Sequence, residues 1–254
     1  MTSNVWLPIL ISLVAFLYAS VGHGGASGYL AILSFTSTPH EAAVTTALIL
    51  NLVVAGLSLC CYAKAGHLSL KTTFPFIITS IPAAFIGGLL PISTFSYQLL
   101  LAGSLFLAAI RLGTPATEQG NESDDNFKMP PLPIVATSGA VIGLISGLIG
   151  VGGGIFLSPL MILMRWASTK QTSATSAAFI VVNALAGLLG RAARQALIIG
   201  DLTPLLLSGF VGGIFGSYLG ASRFNSLTLR RILAVILLLA SLKLVHESIN
   251  AFHF

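Results

Sequence analysis

The chain has 254 residues, of which 55% are hydrophobic and only 7% charged, with 12 basic against 7 acidic side chains. Soluble domains carry about 25% charged residues, so this composition excludes a soluble fold and marks an all-α, polytopic integral membrane protein. The formal net charge of +5 is dispersed over short loops and forms no patch, which excludes a nucleic-acid footprint.

Residues 1–4 contain no Lys or Arg, so the first apolar run, 5–21, lacks the basic flank of a cleaved signal peptide and reads as a retained span. Further apolar runs follow at 28–35, 42–63, 74–90 and 97–112. The stretch 113–131 is hydrophilic and acidic and closes on Pro130 and Pro131, as a solvated linker does. Five more runs come at 132–149, 154–164, 173–189, 204–221 and 232–245. The chain therefore divides into a first transmembrane unit (1–112), a linker (113–131) and a second transmembrane unit (132–254). The runs 28–35 and 154–164 are shorter than the roughly 20 helical residues a bilayer core requires. They read as half-helices or re-entrant elements, giving eight to ten transmembrane segments in all. Cys60 and Cys61 are neighbours in an apolar run; a bridge between them would be strained, so they read as packing residues.

The two units resemble each other. VGHGGASGYLAIL (21–33) aligns with IGVGGGIFLSPLMIL (149–163) at a constant offset of 128, pairing Gly22, Gly24 and Gly25 with Gly150, Gly152 and Gly153. Farther on, Gly66-His67-Leu68 is echoed by Gly200-Asp201-Leu202, and Gly87 by Gly220. Matches in a common order point to internal duplication, and duplication around broken helices is a secondary-transporter architecture. If every run changes sides, nine Lys and Arg residues fall on one side and three on the other. The positive-inside rule then favours an odd number of crossings per unit, an inverted repeat and both termini outside.

Glycine clusters interrupt both units at equivalent places. Unwound backbone is tolerated in a bilayer only where protein or a water-filled cavity surrounds it. Glycine permits the reversal there, and the N-terminus of the half-helix that follows contributes about half a positive charge. Two such ends facing each other would bind a small anion without a buried Lys or Arg. Scattered glycines such as Gly87, Gly88, Gly212 and Gly213 read instead as close helix packing.

The pattern Gly150-x-Gly152-Gly153-Gly154 followed by Phe156-Leu157-Ser158-Pro159-Leu160-Met161, with its degenerate copy Gly22-His23-Gly24-Gly25-Ala26, resembles the sulfite exporter TauE/SafE family of membrane transporters. The segment 172–176 and Gly200-Asp201-Leu202 fit the same pattern, so the resemblance covers nearly the whole chain. It implies transport of a small sulfur-containing anion, sulfite or a sulfonate, across a bacterial inner membrane, with no enzymatic activity and no cofactor. The chain departs from the pattern at His23, at Ala26 in place of a third glycine, and at Ala31 where the second unit has Pro159.

The candidate substrate-binding set is Gly22, His23, Gly24, Gly25 and Ser27 with Thr45, Thr46 and Asn51 in the first unit. In the second it is Gly150, Gly152, Gly153 and Gly154 with Ser173, Thr175, Ser176 and Asn183. Hydroxyls and amides can donate to an oxyanion at less desolvation cost than a charge, or they can bond their own helix carbonyls. His23, the only ionisable residue inside a glycine motif, could answer pH, balance the anion or couple transport to a proton; the coupling ion is expected to be a proton or sodium. Arg191 and Arg194 share a helix face on the sparsely charged side and read as an anion entry or exit, or as snorkelling side chains. Glu41 and Asp201 read as caps at helix starts. No spacing fits a metal site, since His246-Glu247 lacks the second His of a zinc helix. Two other classes are open. One is an anion channel. The other is a rhomboid-like serine protease on Gly25-Ala26-Ser27-Gly28, which is weakened because the second copy, Gly153-Gly154-Ile155-Phe156, has no serine.

Overall fold

The structure is a computed structural model that describes residues 6–36, 38–91, 94–113, 127, 130–195, 197, 202–223 and seven positions between 234 and 245. Among the described residues every regular element is a helix and there is no strand. In chain order they are α1 (Trp6–Ala19), α2 (Ala26–Leu33), α3 (His40–Lys64), α4 (Leu70–Leu89), α5 (Thr94–Gly113), α6 (Leu132–Ile149), α7 (Gly154–Leu163), α8 (Thr169–Arg194) and α9 (Thr203–Ser222). Five of them, α3, α4, α6, α8 and α9, are long and apolar enough to cross a membrane. Asp201, His246, Glu247 and most of the acidic linker lie outside the described residues.

Local chemistry sets the ends. Ser69 caps α4 by accepting the Thr72 N–H, and Ser168 with Gln171 forms a capping box at the start of α8. Pro131 precedes α6, which stops at Gly150 in the left-handed region. Ala26 begins α2 two residues before the apolar run that marks it in the sequence, because Gly25 rather than Ser27 makes the turn.

Glycine ladders determine which helices run together. On α6, a Cβ at Gly139, Gly143 or Gly147 would run into the carbonyls of Phe76, Ser80 and Ala84 on α4. On α9, Gly212, Gly216 and Gly220 meet the carbonyls of Ser12 and Phe16 on α1 and of Ser20 just after it in the same way. Residues four apart on one helix face residues four apart on the other in ascending order, so each pair is parallel and packed backbone to backbone. Gly87 sits against Leu144 and Gly147, and Gly88 against Gly187, as close-packing residues do.

Similar contacts place α3 parallel to α9, with Gly209 against Leu50 and Gly213 against Leu57, and α4 parallel to α8, with Thr73 bonded to Thr175 and Gly88 beside Arg191. The long helices α3 and α8 oppose each other: Glu41 at the start of α3 pairs with Arg191 and Arg194 at the end of α8, while Asn51 and Ile180 meet at Gly152 between their ends. Helices α1, α3 and α9 thus run one way and α4, α6 and α8 the other. Lys64, Lys71, Arg165, Lys170 and Arg223 gather at one end of the bundle, opposite Arg191 and Arg194. The innermost pair is α3 and α8, whose apolar windows are 56% and 78% buried, against 39% or less for α4, α6 and α9. The outer faces carry Leu13, Phe74, Val141, Phe215 and Tyr218 exposed, a surface suited to lipid.

Candidate functional site

Both glycine clusters lie against the α3–α8 crossing. In the first unit α2 folds back along α1: Gly28 packs on Val14 and Tyr18, and the Tyr18 and Ser27 hydroxyls are 2.6 Å apart. The reversal uses left-handed backbone at Gly22 (φ 77°) and Gly25 (φ 97°), where a side chain would be strained. The Tyr29 hydroxyl donates to the Gly24 carbonyl at 2.8 Å and fixes the loop, and every residue of α2 is buried. The second unit turns through Gly150, Gly152 and Gly153 with φ of 79°, 78° and 81°. Gly25 and Gly153 are the residues from which the two half-helices start.

Asn51, fully buried on α3, joins the two loops. Its Oδ1 accepts the Ala26 N–H at 3.2 Å and its Nδ2 donates to the Val151 carbonyl at 3.3 Å. The carboxamide also fills the space beside Gly24 and Gly152, where neither position could hold a Cβ. A second link runs from His23 to Ser158 of α7 at 3.0 Å and on to Ser176 of α8 at 2.6 Å. Gly22 abuts Ser173, Gly150 abuts Val44, and Gly154 abuts Ile180.

Asn183 differs from Asn51. It is 0% exposed, yet neither its Oδ1 nor its Nδ2 has a hydrogen-bond partner among the described residues. One turn earlier Phe179 packs against Gly153, and one turn later Gly187 faces the Gly147 Cα, so Asn183 falls between these contacts. The Ser146 side chain also packs against Gly153, and its buried hydroxyl likewise has no partner among the described residues. An unpaired buried amide costs about 1–3 kcal/mol, so buried polar groups are nearly always satisfied.

Other candidate residues lie elsewhere or are committed to protein partners. Thr45 donates to the Glu41 carbonyl of its own helix at 2.8 Å, and Thr175 bonds Thr73 on α4 at 3.0 Å. Thr46 is buried on α3. Arg191 and Arg194 each reach Glu41 at 2.9 Å, at the far end of α8. Arg191 further donates to the Leu148 carbonyl at 2.8 Å and Arg194 to the Leu90 carbonyl at 3.1 Å, closing the C-terminal ends of α6 and α4.

A model of the sulfite exporter TauE/SafE family matches residues 7–244, nearly the whole chain. The protein belongs to the TauE/SafE family. It is 34% identical to the probable membrane transporter protein y4hK of Sinorhizobium fredii, over 96% of this chain and 99% of that one. It is 25% identical to the probable membrane transporter protein YunE of Bacillus subtilis, over 95% and 97% of the two chains. No solved structure matches it. With five helices among the described residues long and apolar enough to cross a membrane, this TauE/SafE chain is a multi-pass protein of a membrane-transporter family.

Four contributors to the TauE/SafE site geometry escape sequence reading: Tyr18, Tyr29, Ser158 and Glu41 in its role as an ion-pair hub. The tyrosines carried a usable signal, because a phenolic hydroxyl in an apolar run must find a partner when buried. Ser158 sits inside the glycine motif but shows its role only once His23 is brought to it.

Proposed function

We propose that the protein is a secondary transporter that carries a small sulfur-containing oxyanion, sulfite or a sulfonate, across the bacterial inner membrane. The anion binds between the two glycine loops at the α3–α8 crossing and is exposed alternately to either side. The observation that carries this reading is Asn183, a carboxamide held fully buried at the crossing with its hydrogen-bonding capacity uncommitted. An oxyanion is a partner for its Nδ2. The starts of α2 and α7 converge on the same region through Asn51 and supply further positive potential without a charged side chain.

The opposed directions of the two helix sets support an inverted repeat, in which one unit rocks against the other around a fixed site. The gathering of Lys64, Lys71, Arg165, Lys170 and Arg223 at one end supports placing that end in the cytoplasm. The test is counterflow in proteoliposomes with labelled sulfite, thiosulfate, methanesulfonate and acetate. Saturable exchange of the sulfur oxyanions over acetate, with a raised KM in Asn183→Leu, is the expected result. Flux that never saturates, with unitary currents, would replace the carrier by a channel.

A further inference from the structure

We propose that His23 takes up the proton that travels with the anion, so that the anion is bound tightly only when the imidazole is charged. This rests on the transporter reading above and adds to it the coupling ion and the residue that carries it.

The hydrogen-bond directions around the ring follow from chemistry. His23 Nδ1 is 2.8 Å from the Val21 carbonyl, which can only accept, so Nδ1 carries a hydrogen. In the neutral ring Nε2 is then a lone pair, and the Ser158 hydroxyl 3.0 Å away donates to it. Ser158 Oγ in turn accepts from the Ser176 hydroxyl at 2.6 Å. Both hydroxyls are thus turned toward the imidazole. Adding a proton to Nε2 makes it a donor to Ser158 Oγ, so the Ser158 hydrogen must leave the ring: it points out of the relay, or it turns to Ser176 Oγ and the Ser176 hydrogen points out instead. An oxyanion beside them supplies that acceptor. One protonation therefore creates a positive charge and releases one hydroxyl donor to the anion; loss of the proton withdraws both. The proton comes from the aqueous phase on the open side and returns to water on the other, with no bond made or broken beyond N–H.

Fixed charge is missing from this region. Helices α1, α2 and α7 contain no Lys, Arg, Asp or Glu, and neither does α3 between Glu41 and Lys64, α8 between Lys170 and Arg191, or α9. Among the described residues, the titratable groups on the elements packed around the loop are Tyr18 and Tyr29, bonded to Ser27 and the Gly24 carbonyl, Tyr62, bonded to the Ser20 carbonyl, Cys60 and Cys61 on α3 with His40 at its far end, and the exposed Tyr218 on α9. Arg223 follows α9, whose Gly220 packs on Ser20. His23 is itself only half-buried, whereas Ser158 and Ser176 are buried, so the ring stands between a route for protons and a dry relay. The relay also joins the first unit to α7 and α8 of the second, and a rocking motion would break it.

The experiment uses the full chain in proteoliposomes with labelled methanesulfonate, which stays ionised throughout, and labelled sulfite in parallel. Counterflow is measured at equal internal and external pH between about 6 and 9, and accumulation is measured under an inward proton gradient. The wild type should show a methanesulfonate KM that rises up to about tenfold per pH unit above the imidazole titration range, and should accumulate the anion when the outside is acidic. His23→Gln should give a weaker, pH-independent KM and no gradient-driven accumulation. A variant with His40, His67, His246 and His253 replaced by Gln, leaving His23 alone, should keep the wild-type slope, which decides the matter even if His23→Gln is inactive. A flat wild-type profile, a sloping His23→Gln profile or a flat profile in the His23-only chain overturns the proposal while leaving transport standing. Absence of counterflow for both anions in the wild type would instead remove the transporter reading on which it rests.

Discussion

Replacing Glu41 by Ala removes the carboxylate that two arginines of the other unit share. The Arg191 side chain is 3% exposed, so its guanidinium would be left in the interior, donating to the Gly147 and Leu148 carbonyls but facing no carboxylate from Glu41. Breaking a buried pair from one side costs about 3–5 kcal/mol, most of it the charge left behind. Arg194 is 18% exposed and keeps the Leu90 carbonyl, so its loss from the pair is worth about 1 kcal/mol or less. Equilibrium unfolding in mixed micelles should therefore show Glu41→Ala destabilised by about 3–5 kcal/mol. A double-mutant cycle should couple Glu41 to Arg191 more strongly than to Arg194. If both arginines serve only to draw anions to an entrance, stability should not move. A Glu41→Ala chain within about 0.5 kcal/mol of wild type, the scatter of an ordinary surface change, would refute the clamp, as would stronger coupling to Arg194.

The two asparagines should separate in a single comparison. Asn51→Leu should lower stability by about 1–3 kcal/mol through the unpaired Ala26 N–H and Val151 carbonyl, whereas Asn183→Leu should leave the melting temperature unchanged or raised while anion KM increases. Among glycines, Gly143→Ala should destabilise by about 1–3 kcal/mol because its Cβ would meet the Ser80 carbonyl. Gly56→Ala, which meets nothing within 4 Å, should stabilise by up to about 1 kcal/mol, and thermal unfolding of the pair reads both signs. Gly24→Val and Gly152→Val should abolish counterflow, since both positions are filled by the Asn51 carboxamide. In a chain lacking Cys60 and Cys61, a Cys at 67 should label only from the cytoplasm and a Cys at 201 only from outside; labelling of both from one face would force a parallel repeat.

What could be read from the sequence was whatever repeats locally. Gly150 and the consecutive Gly152, Gly153 and Gly154 marked the α6–α7 break, and the apolar run that starts at the last of them begins where α7 begins. The α1–α2 break was read two residues late, because Ala26 and Ser27 look like turn residues until the Asn51 side chain, 25 positions away, takes the Ala26 N–H. Arg191 and Arg194 showed their side of the bundle but not their partner, for the same reason: Glu41 is 150 positions away from Arg191 in the sequence. Periodicity shows a helix and its ends, but a pairing between distant helices leaves no trace in either one.

Under the proposed internal duplication Asn51 and Asn183 are counterparts, and their difference is more informative than their likeness. By the register of the glycine motifs, the groups matching Ala26 N–H and the Val151 carbonyl are the Gly154 N–H and the His23 carbonyl. Asn183 bonds neither, whereas Asn51 bonds both of its own. The departure in sequence lies at the same place: His23 stands where the second unit has Val151, and its ring turns across the interface to Ser158 instead of lying against its own half. Two identical braces would hold the crossing rigid and leave no polar group for a ligand. With one asparagine bracing the loops and the other uncommitted, the proposed carrier keeps a fixed pivot and gains a polar group for its ligand. A carrier that rocks one unit against the other needs both, and in this reading the asymmetry between the units is where the binding function resides.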